Sequence, residues 1–236
     1  TGGDGFDAVT LTDASGNTVD LDGVEAVTGS AGADTLTGGA GNDTIVVTGV
    51  GADQISLGDG IDTLRISSVN TTNSVPDIVS LTVSDFTAGA GGDVFDIGSA
   101  TGTDAAIDAD LIIFAGATSE VSLTTSTATN ISLTTGMTIL TGANAAASLS
   151  DADVVTRIND LNADGTTTTT DILDFTADTD DALFAISDGT NVGIFHAAGD
   201  TTSVAIAAAE VTLVATLSNV TIGNLTSANF ADSKAI

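Results

Sequence analysis

In the N-terminal third of the chain, large aliphatic residues recur at a near-constant interval. Leu36, Ile45, Ile55 and Leu64 stand nine or ten positions apart, each with mostly polar or β-branched neighbours on both sides. Because side chains alternate faces along a strand, one inward residue per three-residue strand predicts short strands separated by tight turns, stacked into a coil. The interval divides the segment into nine-residue units: GSAGADTLT (29–37), GGAGNDTIV (38–46), then, after the extra Val47, TGVGADQIS (48–56) and LGDGIDTLR (57–65). Upstream, GGDGFDAVT (2–10) has the same form with Val9 inward, and residues 11–28 span two further units. The second of these, DLDGVEAVT (20–28), keeps Gly23, Glu25 and Val27 in phase, while LTDASGNTV (11–19) carries Gly16 at its sixth position and reads as a degenerate turn. One coil from residue 2 to about Ile66 is expected.

After Ser67 the interval is lost. Residues 68–76 are polar and turn-like, a plausible boundary. Alternation then predicts strands near 81–86, 120–123 and 130–140, with Val121/Leu123, Ile131/Leu133 and Met137/Ile139 on one face, and a buried strand at 111–114. Ser150 with Asp153 makes a capping-box-like start for one helix carrying Val154, Ile158 and Leu161 at i, i+4 and i+7. DILDF (171–175) reads as a strand. A hairpin is predicted from 183–187 and 192–197 around the turn 188–191, followed by strands at 211–217 and 220–225. The fold class is therefore mainly all-β: an N-terminal parallel β-roll or β-helix (1–66), a β-rich region of sandwich- or helix-like form (67–147), and a short α-helix with further strands (148–236).

The turns of the coil carry the chemistry. All four units from 29 to 65 fit G-G-x-G-x-D-x-U-x, with U a large aliphatic: Ser30 is the departure in the first, and the last two lack the first Gly. This segment resembles the RTX family of calcium-binding nonapeptide repeats, which implies a calcium-dependent parallel β-roll. The residues support that chemistry. Gly29, Gly32, Gly38, Gly41, Gly49, Gly51, Gly58 and Gly60 let the backbone turn tightly with carbonyls directed into the turn. Asp34, Asp43, Asp53 and Asp62 add hard carboxylate oxygens of the kind Ca²⁺ takes. Two units make one coil, so Asp34 is expected beside Asp53 on one edge and Asp43 beside Asp62 on the other, with Asp7 beside Glu25 as a weaker site. The bland alternative is a flexible Gly/Asp linker. Further on, Gly91, Gly92, Asp93 and Asp96 echo the repeat without its fourth Gly, and a plain Gly-rich loop explains them as well. Asp160, Asn162 and Asp164, with Gly165, match positions 1, 3, 5 and 6 of an EF-hand-like loop, but Asp171 stands where Glu is usual, and a helix-ending turn is the competing reading.

Charge narrows the partners. The net charge is −29, from 3 Lys+Arg against 32 Asp+Glu. Such a surface repels nucleic acid and anionic membranes and favours cations. Hydrophobic content of 42% argues against disorder. Cysteine is absent, and no run of 18 apolar residues offers a membrane span. His196 is the single histidine, and HExxH and GxSxG motifs are missing, so nothing points to an enzyme. The chain opens inside a repeat, which suggests the C-terminal piece of something longer. The acidic, β-rich, Lys-poor ending resembles substrates of Gram-negative type I secretion systems, implying export with a signal in the last sixty or so residues. Its Thr/Ala/Val/Gly richness resembles RTX-type surface-layer proteins. The expected function is a secreted, calcium-binding, self-assembling surface-layer or matrix subunit at the cell surface. The alternatives are the end of a large adhesin, or the calcium-folding and secretion module of an exported hydrolase.

Overall fold

The computed structural model describes residues 8–12, 15–20, 26–48, 51–67, 81–98, 119–123, 131–133, 137–142, 145–160, 173–175, 181–198, 206 and 208–231. Along the chain the strands are β1 (Ala8–Thr10), β2 (Thr18–Asp20), β3 (Ala26–Thr28), β4 (Thr35–Thr37), β5 (Thr44–Thr48), β6 (Gln54–Ser56), β7 (Thr63–Ser67), β8 (Leu81–Val83), β9 (Val94–Gly98), β10 (Ser119–Leu123), β11 (Ile131–Leu133), β12 (Met137–Gly142), β13 (Leu173–Phe175), β14 (Asp181–Ser187), β15 (Val192–Ala198), β16 (Val211–Leu217) and β17 (Phe230–Ala231). Among the described residues one α-helix, α1 (Asp151–Ile158), lies between β12 and β13.

Consecutive strands of the coil go to opposite walls. The odd-numbered ones form one sheet in the order β1-β3-β5-β7-β9-β17, and the even-numbered ones run β2-β4-β6-β8 within a nine-stranded sheet. All these pairs are parallel. The register stacks one inward residue on the next: Val9, Val27, Ile45, Leu64, Phe95 and Phe230 on one wall, and Val19, Leu36, Ile55, Val83 and Leu217 on the other. The expected inward residues Leu36, Ile45, Ile55 and Leu64 are all buried. On the odd wall register is kept across residues 11–28, as Ala8 pairs with Ala26 and Ala26 with Thr44.

The sheets do not end where the repeat does. β8 adds to β6 and β9 to β7, so the two walls run on past Ile66. The C-terminal strands then continue the even wall through β16, β15, β14, β12 and β10. Residues of the coil and of these strands, among them Leu64, Phe95, Leu183, Ile194 and Val214, share one apolar cluster. A second cluster packs the stacked rings of Phe184 and Phe195, 5.4 Å apart, with Val154 and Ile158 of α1.

The helix begins as expected: the Ser150 side chain accepts from the Asp153 backbone N–H. The hairpin forms as well, since β14 pairs antiparallel with β15 and Asp188 Oδ1 accepts from the N–H groups of Thr190 and Asn191. The strand expected at 220–225 is replaced by a 3-10 turn, Ile222–Asn224, after Asn219 adopts a φ of 59°. A left-handed residue there turns the chain out of the sheet direction. The expected strand at 111–114 and Leu161 lie outside the described residues.

Candidate metal centre

Because each coil sends one turn to each edge, the sixth-position residues stack into two ladders. On the odd edge, the Asp43 N–H donates to Asp62 Oδ1 at 2.8 Å, and the Asp62 N–H donates to Asp93 Oδ1 at 3.0 Å. On the even edge, the Asn17 N–H donates to Asp34 Oδ1 at 2.8 Å, and the Asp34 N–H donates to Asp53 Oδ1 at 2.7 Å. Both expected pairs, Asp34/Asp53 and Asp43/Asp62, therefore meet. The second oxygen tells the rungs apart. Asp34 Oδ2 accepts from the Ser30 N–H, Asp43 Oδ2 from the Gly39 N–H, and Asp93 Oδ2 from the Thr87 N–H. Asp53 Oδ2 and Asp62 Oδ2 are buried without a hydrogen-bond partner. At Asp62 the reason is visible: the Leu57 and Gly58 N–H groups and the Ser56 hydroxyl all go to Asp85 instead.

Two corrections to the sequence register follow. Asn17, not Gly16, stands at the rung position, since Thr18 pairs with Thr35 and so places Asn17 level with Asp34. These two lie 17 residues apart where Asp34 and Asp53 lie 19 apart, so the first coil is short and counting by nines misses it. The second correction concerns Asp93. The unit is AGAGGDVFD (88–96), with Gly89, Gly91, Asp93 and Phe95 in the second, fourth, sixth and eighth places. Gly89 and Gly91 have φ of 109° and 81°, matching in sign Gly58 and Gly60 at 99° and 143°. Asp93 lies 31 residues beyond Asp62, so an insertion hid a fifth turn. Asp96 does not join the ladder; it accepts from Arg65 Nε at 2.8 Å.

The donor set fits a hard divalent cation. An isolated buried carboxylate oxygen is costly unless paired or bound to a metal. The turns of successive coils stack closely, carbonyl on glycine. A Cβ added at Gly51 would lie 2.1 Å from the Gly32 carbonyl oxygen, one at Gly58 2.2 Å from that of Gly39, and one at Gly38 1.8 Å from that of Leu57. Position-one glycines also carry the ladder, Gly29 N–H to the Val46 carbonyl and Gly38 N–H to that of Ser56. No group of three or more His, Cys, Asp or Glu side chains converges among the described residues. Each rung thus brings two carboxylates, and the rest of a six- to eight-oxygen shell falls to carbonyls and water.

Burial pushes the Asp53 carboxyl up to about 6, against a hydrogen bond from the Asp34 backbone and with the Asp34 charge adding to the rise. Burial likewise pushes Asp62 up to about 6, with the charges of Asp93, Asp43 and Asp85 adding to it against a backbone hydrogen bond from Asp43. The sign of the pH dependence follows. Without metal, the folded chain holds protons between about pH 4 and 6 that the unfolded chain releases, so stability falls as pH rises through that window, by roughly 1–2 kcal/mol per group after discounting for solvent at the turn edge. Cation binding runs the other way, because it needs both carboxylates ionised. Calorimetric titration is expected to show calcium affinity at these rungs falling about tenfold per site between pH 7 and 5. A pH-independent affinity would mean that neither group binds the ion.

Of the other candidates, Asp160 ends the described part of the helix segment, its carbonyl accepting from Arg157 Nη1. Asn162 and Asp164 lie outside the described residues, as do Asp7, Glu25 and Gly49. His196 is buried on β15 opposite Thr212 of β16.

Residues 21–49 and 28–64 match the family model for the RTX calcium-binding nonapeptide repeat. Curated proteins gave no match to the chain. The matched residues hold the two pairs Asp34/Asp53 and Asp43/Asp62; Asn17 and the turn at 88–96 lie beyond them.

Proposed function

We propose that this chain, which carries the RTX calcium-binding nonapeptide repeat, is a secreted structural protein whose calcium-locked coil lets copies assemble into a surface layer or extracellular matrix. One observation carries the calcium part: buried, unpartnered Asp53 and Asp62 oxygens within ladders of stacked carboxylates. Support for assembly comes from charge. A chain at −29 repels its copies, and sodium only screens that repulsion within about 8 Å at physiological salt. Calcium removes two charges per ion and can bridge carboxylates of neighbouring copies. Export by a type I system rests on the resemblance of the C-terminal region to such substrates. No helix among the described residues is long and apolar enough to cross a membrane.

The test is assembly in matched ionic strength. In millimolar calcium the protein is expected to form ordered sheets or filaments under negative-stain microscopy, and to disperse when sodium replaces calcium. A chain that stays folded and monomeric at high concentration in calcium would overturn the structural-subunit reading. The calcium-folding and export module of a larger protein would then be the better account.

A further inference from the structure

The even-edge ladder has an end that differs in kind from its interior. Asn17 sits one coil before Asp34, in the place that Asp34 holds before Asp53. Its backbone N–H repeats the ladder contact, but its side chain adds donors that no carboxylate could. Asn17 Nδ2 donates to Asp34 Oδ1 at 2.9 Å, to the Ser15 carbonyl at 2.8 Å and to Ser30 Oγ at 3.3 Å. Those three acceptors set the orientation of the amide, with nitrogen rather than oxygen facing Asp34. Ser30, which stands where the repeat has Gly, donates its hydroxyl toward both Asp34 oxygens at 3.2 and 3.0 Å and its backbone N–H to Oδ2 at 2.7 Å.

We propose that Asn17 and Ser30 terminate the cation stack on this edge, their uncharged donors filling the place beside Asp34 that a divalent ion takes one coil further on. The inference rests on the calcium reading above and deepens it. A hard cation selects oxygen ligands and is repelled by N–H groups aimed into its site. Each hydrogen-bond donor on a carboxylate favours its ionised form, as a metal does. The two carboxylates on this edge differ accordingly. Asp34 takes donors on both oxygens, from the Asn17 backbone and amide and from the Ser30 backbone and hydroxyl. Asp53, one coil on, has no such donors on its second oxygen. The even edge therefore keeps one two-carboxylate rung, Asp34/Asp53, closed by an amide on one side. On the other side Leu81 comes level with Asp53, since Gln54 pairs with Thr82. Residue choice at two positions thus sets how many ions this edge holds, and lets the first coil close without metal.

The experiment counts calcium bound per chain, by equilibrium dialysis with metal analysis, in the full chain and two variants. Asn17→Ala is expected to bind as many ions as the parent, because the amide is not a ligand. Asn17→Asp combined with Ser30→Gly is expected to bind one more, because it restores a carboxylate and a glycine to the turn. Loss of one ion in Asn17→Ala would show that the amide oxygen ligates calcium and would overturn the proposal. So would an unchanged count in the double variant with its β-sheet circular dichroism intact. Should the double variant not fold, the Asn17→Ala count decides alone. A parent chain that binds no calcium overturns the calcium reading itself, and this inference with it.

Discussion

Chelating calcium from the intact chain at neutral pH is expected to abolish most of the β-sheet signal of the coil, with recovery when calcium is returned in excess. The expectation follows from what holds each unit. Residues 29–65 bury the inward Leu36, Ile45, Ile55 and Leu64 together with Val47 and Leu57, each worth roughly 1.5–3 kcal/mol, while ordering each backbone residue costs roughly 1–2 kcal/mol. The parallel ladders recover part of this, but the turns work against it. Stacked strands lie about 4.8 Å apart, and carboxylates at that spacing repel by about 3.5 kcal/mol at an effective dielectric of 20. Asp43, Asp62 and Asp93 form three successive members of one stack, so the middle carboxylate meets repulsion from both sides. An ion bound only by the folded coil stabilises it by mass action, about 2.7 kcal/mol when its concentration is a hundred times Kd, and several ions act together. The loss should spread beyond the repeats, because β8 and β16 join the coil wall to the C-terminal strands and one apolar cluster spans both. Circular dichroism across an EGTA titration checks it. A spectrum unchanged by chelation at pH 7.5 would mean that hydrogen bonds and packing hold the coil without metal. Partial recovery of β-signal near pH 5 without calcium would accord with protonation of Asp53 and Asp62.

The interior of the coil was legible because its signals are local. A turn that needs Gly at fixed places and a carboxylate at the sixth leaves the eighth residue to face inward, so Leu36, Ile45, Ile55 and Leu64 and the two Asp pairs could be placed by counting. Counting failed where the coil changes length. Asn17 was missed because the first coil is short, and the Asp93 turn because an insertion separates it from Asp62. Gly89, Gly91 and Phe95 at their repeat spacing were the signal that could have found it. The end of the fold was hidden for a different reason. β17 adds to β9, and the buried Asn229 accepts from the Gly89 N–H and donates to the carbonyls of Gly89 and Asp93, 140 and 136 residues away. Any strand with a suitable apolar face could cap an open wall, and no short-range pattern says which one does. The same holds for β16 beside β8. Asp85 lies in the alternating segment 81–86, yet it caps the Leu57–Gly58 amides of the preceding coil and thereby leaves Asp62 Oδ2 available.

Replacing Gly60 by Ala is expected to cost at least about 3 kcal/mol in the calcium-bound state and to lower the calcium count, whereas Gly91→Ala should cost only about 1–2 kcal/mol. Both glycines hold the fourth place of their turn and both have positive φ, 143° and 81°, so each alanine carries the penalty of a backbone region that side chains avoid. They differ in what lies above. A Cβ at Gly60 would fall 2.0 Å from the Gly41 carbonyl oxygen and 2.6 Å from its carbon, whereas at Gly91 it meets no described atom within 4 Å. The Gly60 clash is with backbone, so relief requires the two coils to separate. Several contacts resist that separation: Gly41 N–H to the Asp59 carbonyl at 2.7 Å, Asp59 N–H to that of Gly39 at 3.0 Å, and Ile61 N–H to Asn42 Oδ1 at 3.0 Å. Opening them also parts Asp43 from Asp62, whose spacing defines the rung. Urea unfolding in millimolar calcium would give the two stability losses, and metal analysis of the folded variants the two ion counts. Equal losses for Gly60→Ala and Gly91→Ala would show that the turns are not stacked carbonyl on glycine, and the ladder built on that stacking would have to be abandoned.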